Sequence, residues 1–161
     1  RKLNGLPPEW FDALKTKGGM DWILIEADGA ASRPFKVPLD HEPVVPEGCD
    51  LTVWVMGIKV LGQPLTPDWV HRAERAAALL GVELGIPVTD DLILRLVENP
   101  QGCLKGIPPK SRKVALINQA DSPEEIKKAS AFGRKLLGCG IERVVITSYL
   151  QKDAVKEVLT K

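Results

Sequence analysis

The stretch Trp22-Ile23-Leu24-Ile25-Glu26-Ala27-Asp28-Gly29-Ala30 joins a short apolar run to two carboxylates and a glycine. An apolar run of this length, bounded by a glycine, is typical of a buried strand, which we predict over residues 22–27. In open α/β sheets, ligands collect at the carboxyl ends of the parallel strands. The stretch therefore predicts that Glu26 and Asp28 stand at a ligand-binding edge.

The rest of the chain alternates short apolar runs with amphipathic segments. Further strands are predicted over residues 51–57, 113–118 and 142–147. Helices are predicted over residues 7–15, 66–81, 89–98 and 122–137, followed by a final helix whose inward residues are Ala154, Val155, Val158 and Leu159. This order predicts an α/β fold with a mostly parallel sheet flanked by helices on both faces.

Local signals mark the helix ends and the side chains expected to pack. Thr66 followed by proline predicts a helix start, and Gly81 predicts its end. Ser122 with Glu125 has the form of a capping box. In the first helix we expect one face to join the core: Trp10, Phe11 and Leu14.

Length and composition point to a single domain over residues 1–161 and exclude several classes of function. A net charge of +1 gives no strong field for nucleic acid or an anionic membrane. No apolar run approaches the roughly 18 residues of a membrane span, and no signal-peptide pattern is present, which predicts a cytoplasmic protein. The chain opens at Arg1 with no methionine and no preceding strand, so we expect a segment of a longer protein.

The cysteines suggest neither a metal site nor a disulfide framework. Cys49, Cys103 and Cys139 are odd in number and far apart. We expect free thiols in a reducing compartment.

The pattern Glu26-x-x-Gly29 suits a magnesium and phosphate site. Carboxylates hold Mg²⁺ directly or through water, and Asp28 is a second candidate for the metal or for an attacking water. The backbone N–H of Gly29 could approach a phosphate because no side chain intervenes. The alternative is that these acids cap the loop that follows the strand.

The pattern Asn118-x-x-Asp121 follows another predicted strand. It resembles the guanine-recognition box of P-loop GTPases, in which the aspartate accepts hydrogen bonds from the base. Gln119 stands where that box has a lysine, and Ser148 stands where such proteins add a backbone contact. The alternative is an Asx turn that joins the strand to its helix.

Several basic and histidine side chains could line the same pocket. Arg33, Lys36 and His41 lie in a loop without periodicity from Gly29 to Cys49, and long loops of this kind are often functional. His41-Glu42 could form a proton-transfer pair or serve as metal ligands. His71-Arg72 could reach an anionic ligand, or belong to a solvated helix face.

These residues together resemble the YqeC family. The resemblance rests on Ile25 to Ala31, Arg33-Pro34, Lys36 and His41 to Pro46. It continues through Val70-His71-Arg72, Leu104 to Pro108 and Leu116 to Asp121, in the same order. It covers essentially the whole chain.

The resemblance implies a P-loop NTPase-like fold of Rossmann-like three-layer type, of which this chain is the C-terminal part. It implies an accessory role in the maturation of selenium-dependent molybdenum hydroxylases, with GTP or ATP and Mg²⁺ as ligands. The implied metal residues are Glu26 and Asp28. The implied nucleotide residues are Gly29, Asn118, Gln119, Asp121 and Ser148, with a pocket of Arg33, Lys36, His41, His71 and Arg72.

One family feature is missing from these residues. The family begins with a strand and a glycine-rich phosphate loop, and Gly18-Gly19 has no following Lys-Ser/Thr. This chain alone is therefore expected to be inactive as a nucleoside triphosphatase. The alternatives are a non-catalytic module that binds a hydroxylase subunit or a molybdopterin-type cofactor, and a fragment without autonomous activity.

Overall fold

The computed structural model describes residues 5–7 and 9–161 and shows an α/β chain with four helices. Its elements, in order, are α1 (Trp10–Lys17), β1 (Phe35–Lys36), β2 (Leu51–Gly57), a 3-10 turn (Ile58–Val60), β3 (Val70–His71), α2 (Ala73–Leu80), α3 (Asp90–Glu98), β4 (Arg112–Asn118), α4 (Pro123–Gly138), β5 (Arg143–Thr147) and β6 (Val155–Thr160). Arg1 and Pro8, used in the sequence predictions, lie outside the described residues.

The main sheet has the order β2-β4-β5-β6. β2, β4 and β5 are parallel, and β6 pairs antiparallel with β5. The predicted strands over residues 51–57, 113–118 and 142–147 are confirmed to within a residue at their ends. A second, two-stranded sheet pairs β1 with β3 in parallel.

The predicted final helix is wrong, because residues 155–160 form β6. Leu159 is buried, whereas its neighbour Val158 is 49% exposed, so consecutive residues point to opposite faces as in a strand. Pairing with the whole length of β5 provides backbone hydrogen bonds that a short terminal helix could not match.

The predicted strand over residues 22–27 is also wrong in this structure. The segment is extended but forms no strand, and Trp22 and Leu24 are 82% and 92% exposed. A strand needs a paired neighbour to satisfy its backbone, and β2, the nearest edge of the main sheet, lies across an open cleft.

The helix predicted over residues 66–81 begins later, at Ala73. Val70 and His71 pair with Phe35 and Lys36 as β3, and Arg72 adopts the left-handed conformation (φ 68°). A left-handed residue cannot sit inside a right-handed helix, so α2 starts after it. Its end at Gly81, which is also left-handed, is confirmed.

The other helix signals are confirmed. The Thr89 hydroxyl accepts a hydrogen bond from the Leu92 N–H, and Ser122 and Glu125 form the complete capping box of α4. α1 is present, but it buries none of its residues, and Trp10 is 56% exposed. The predicted core role of Trp10, Phe11 and Leu14 is therefore wrong. Lys15 of α1 forms an exposed ion pair, in which its Nζ lies 2.6 Å from Asp50 Oδ1.

The main core lies on one face of the sheet. There, Trp54, Ala115, Val144 and Leu159 are neighbours in register across the four strands and pack in a single cluster that includes residues of α2, α3 and α4. On the opposite face, Val55, Leu116, Val145 and Val158 are also neighbours in register, and they lie outside that cluster. Among the described helices, none is long and apolar enough to cross a membrane.

Candidate functional site

Lys36 joins the acidic stretch to the rest of the fold. Its Nζ lies 2.8 Å from the Gly29 carbonyl oxygen, 2.9 Å from Asp28 Oδ2 and 3.0 Å from Glu42 Oε2. The Lys36 side chain is only 9% exposed, because β1 sets it between the two carboxylates. Pairing of this kind offsets the cost of burying an ammonium group.

Arg72 completes this charged network from the other side. Its guanidinium binds both carboxylate oxygens of Glu42, and one nitrogen lies 3.5 Å from the Val37 carbonyl oxygen. These hydrogen bonds, with those from Lys36, hold the pKa of Glu42 well below its usual range, although burial opposes the shift. Two cations and two anions therefore neutralise one another, and Lys36 and Arg72 already have carboxylate partners.

The two histidines lie at the margin of this network. His41 is largely exposed, and its Nε2 is 3.9 Å from Glu42 Oε1, which is too long for a hydrogen bond. The suggested His41–Glu42 proton-transfer pair is therefore not assembled. His71 is partly buried. Burial, followed by the nearby charges of Arg72 and Lys36, lowers the pKa of its imidazole.

The proline-containing loop is anchored at several points. Lys105 Nζ donates to the carbonyl oxygens of Leu39 and Asp40, both at 2.7 Å. Arg75 Nη2 lies 2.6 Å from Asp40 Oδ1, and Arg33 Nε donates to the Pro67 carbonyl oxygen at 2.7 Å. The long loop is thus an ordered support for the site.

A second polar cluster surrounds Asp121 at the ends of β4 and β5. Lys59 Nζ lies 2.5 Å from one Asp121 oxygen, and the Ser148 hydroxyl donates to the other at 2.7 Å. The Lys59 hydrogen bond, followed by that of Ser148, lowers the pKa of Asp121. Lys59 was not predicted as a site residue, because it follows β2 and nothing near it in sequence signals a distant carboxylate.

Asn118 and Gln119 stand between the two clusters. Asn118 Oδ1 accepts a hydrogen bond from the Thr147 hydroxyl at 3.2 Å. Gln119 has a left-handed backbone (φ 64°), and its Oε1 is buried without a hydrogen-bond partner among the described residues. That oxygen would lie 2.0 Å from a Cβ at Gly57, so the close approach of these two chain segments requires glycine.

A cleft of about 1050 Å³ opens beside β2. The predicted site residues that line it are Glu26, Asp28, Arg33, Lys36, Asn118 and Gln119. Gly29 lies next to this lining, since the Glu26 carboxylate folds back to 3.6 Å from where a Gly29 Cβ would be. The remaining predicted residues are not among those that line the cleft: His41, His71, Arg72, Asp121 and Ser148.

The carboxylates of Glu26 and Asp28 are among those that line the cleft, and Lys36 already binds Asp28. In the part of the chain that the structure describes, no three histidine, cysteine or acidic residues are grouped as a metal site. Mg²⁺ is commonly held by one or two carboxylates, with water and substrate phosphates completing its shell. Glu26 and Asp28 fit that limited role. The three cysteines are unpaired, and burial raises the thiol pKa of Cys103 and Cys139.

Comparison with known proteins agrees with the motifs that the sequence carries. Residues 1–74 match the family model described as YqeC protein. The chain is 36% identical over 154 residues to a protein of Escherichia coli (strain K12) described as "Uncharacterized protein YqeC". The alignment covers 96% of this chain and 60% of the relative, so the chain spans about three fifths of the length of the curated relative that it matches. No solved structure matches it. Both matches agree with the order of the motifs, and this chain is thus similar to YqeC proteins over almost its whole length.

Proposed function

We propose that the whole protein binds a nucleoside triphosphate with Mg²⁺ at the end of the cleft where Asp28 and Asn118 lie, and serves as an accessory protein for selenium-dependent molybdenum hydroxylases. The observation that supports nucleotide binding is the convergence of Glu26, Asp28, Asn118 and Gln119 on one cleft, beside the carboxyl ends of the parallel strands β2 and β4. Such edges are where α/β proteins bind their ligands. The hydroxylase role comes from the family resemblance.

Each group has a defined task in this proposal. Glu26 and Asp28 hold the metal and orient a water, and the Gly29 N–H faces the terminal phosphate. Lys36 holds Asp28 and Gly29 in place, since it binds an oxygen of each. Mg²⁺, when bound, supplies the positive charge that screens the phosphates.

Base recognition falls to the end of β4. Asn118 meets the base from the cleft, and Asp121 accepts hydrogen bonds from it with Ser148 alongside. Both Asp121 oxygens already have donors in Lys59 and Ser148, so a guanine would share or displace the Lys59 ammonium. Affinity for GTP should therefore depend on Lys59 as well as on Asp121.

Calorimetry on the full-length protein tests nucleotide binding directly. With GTP and Mg²⁺ we expect saturable binding, and Asp28→Asn should weaken it at least about 10-fold. Asp68→Asn, in an exposed turn away from the cleft, is the matched control. If neither GTP nor ATP binds the full-length protein in the presence of Mg²⁺, the proposal fails.

A second candidate function is a binding module without catalysis. It is favoured by the apolar walls of the cleft, where Trp22, Leu24 and Val55 are exposed, and by the internal pairing of Lys36 and Arg72. Mixing the full-length protein with a purified molybdenum hydroxylase tests it by gel filtration. Co-elution without nucleotide, unchanged in Asp28→Asn, supports the module; co-elution that requires GTP or ATP supports the first proposal.

A further inference from the structure

The cleft is bounded by two apolar walls that lack a partner. One wall is β2, an edge strand of the main sheet, where Leu51, Val53 and Val55 are 41%, 43% and 58% exposed. The other wall is the extended segment of residues 22–28, where Trp22 and Leu24 are almost fully exposed. Facing apolar surfaces of this kind are rarely left open to water in a finished fold.

The backbone of β2 is also free on the cleft side. The Asp50 carbonyl accepts from the Arg112 N–H, so even-numbered residues of this strand point their backbone groups toward β4. The Gly57 N–H points the other way and donates to the Pro34 carbonyl oxygen at 2.7 Å. The N–H groups of Val53 and Val55 share the direction of Gly57 and therefore face the cleft, where no described strand pairs with them.

Both walls run in the same direction. At one end, Lys15 of α1 binds Asp50 just before β2, and the other wall begins seven residues after Lys15. At the other end, Lys36 binds Asp28, and Pro34 binds the last residue of β2. The cleft is thus an elongated space between two parallel extended segments.

We propose that one apolar β-strand, from a part of this protein outside the 161 residues, occupies the cleft parallel to β2. It pairs with Val53 and Val55 on one side and with residues 22–27 on the other, so that this segment becomes the strand that its sequence predicts. The E. coli relative has chain for such a strand, since two fifths of its length lies beyond the alignment. The residue after the inserted strand would lie beside Asp28, Gly57 and Asn118.

A second copy of this chain fits the cleft less well. Two copies related by a two-fold axis would place β2 against β2, which makes the strands antiparallel. That pairing would also leave residues 22–27 without a partner. A strand from the same polypeptide satisfies both walls at once, and this inference does not depend on whether nucleotide binds.

Hydrogen exchange on the full-length protein, read by NMR at single residues, tests the proposal. We expect the Val53 and Val55 amides to exchange at least about 1000-fold more slowly than in an unstructured peptide, at a rate independent of protein concentration. Exchange at the rate of an exposed loop would overturn the proposal. Protection that grows with protein concentration, together with a dimer mass in light scattering, would also overturn it, in favour of a second copy.

A proline substitution gives an independent measurement. Val53→Pro removes an N–H that points into the cleft, which an unpaired edge strand tolerates and a central strand does not. We expect Val53→Pro to lower the thermal midpoint of the full-length protein far more than Val53→Thr, which keeps the N–H. Equal midpoints for the two variants would contradict the inserted strand, whereas loss of folding in Val53→Pro alone would agree with it.

Discussion

Lys36 binds three oxygen atoms from two separate parts of the chain, and the acidic stretch depends on it. The Gly29 carbonyl, Asp28 and Glu42 all meet its ammonium group within 3.0 Å. The sequence indicated that Glu26, Asp28 and Lys36 belong to one site. It could not indicate that Lys36 would be used internally, because the bidentate Glu42–Arg72 pair beside it depends on the left-handed turn before α2.

Replacing Lys36 should destabilise the protein strongly. Lys36→Met keeps the length and apolar stem of the side chain but leaves Asp28 without its partner and weakens the support of Glu42. Removal of one member of a buried ion pair costs about 3 kcal/mol, which urea unfolding would measure. Lys127→Met, on the exposed face of α4, is the control and should change the free energy of unfolding by less than about 0.5 kcal/mol.

Glu42 should make stability depend on acid pH. Its folded pKa lies below the unfolded value of about 4.3, so its contribution is fully present above that pH and is lost as the pH falls. Urea unfolding at pH 7, 5, 4 and 3 is therefore expected to show a smaller loss of stability on acidification in Glu42→Gln than in wild type. Parallel curves for the two proteins would show that Glu42 is not the group concerned; Glu47→Gln, in an exposed turn, is the control.

At the scale of elements, sequence signals predicted the helix ends correctly where residues a few positions away supply the hydrogen-bond partners. The Thr89 cap, the Ser122 capping box and the Gly81 stop are examples. The sequence signals predicted the wrong element where pairing with a strand distant in sequence determines the structure. Residues 155–160 follow β5 rather than their helical spacing, and residues 66–72 form a turn and β3 because Phe35 and Lys36 pair there.

The capping box of α4 should contribute measurably to stability. Ser122→Ala removes the hydroxyl that accepts from the Glu125 N–H and should lower the free energy of unfolding by about 1 kcal/mol. Ser130→Ala, inside the same helix, should cause no comparable loss, because alanine is the better helix former. Thermal unfolding followed by circular dichroism compares the two, and equal losses would show that the box adds nothing.

At the scale of the whole molecule, α4 joins the sheet to the other helices through one core. Phe132 is fully buried in that cluster, and Gly133 lets Leu159 and Val144 approach the helix closely. The α/β class and the mostly parallel sheet could be predicted, because alternating strand and helix patterns leave few other arrangements. The open cleft could not, because no local pattern shows whether an apolar strand will find its neighbour.

Truncation of Phe132 should weaken the entire fold rather than one element. Phe132→Ala removes a fully buried ring and should cost about 3–5 kcal/mol of unfolding free energy in urea. Near- and far-ultraviolet circular dichroism should report the same lowered midpoint, since one cluster unites the helices and the sheet. Tyr149→Ala, 66% exposed, is the control; separate transitions by the two signals would contradict a single core.

The two outer strands of the main sheet differ in the side chains they carry. β6 includes Lys156 and Glu157, and charges on an outer strand discourage further pairing. β2 instead has Leu51, Val53 and Val55 alternating along it. Where the proposed inserted strand is absent, unwanted polymerisation of this chain, such as fibril growth during purification, should therefore be templated at the β2 side, and a charged substitution there would act as a gatekeeper against it.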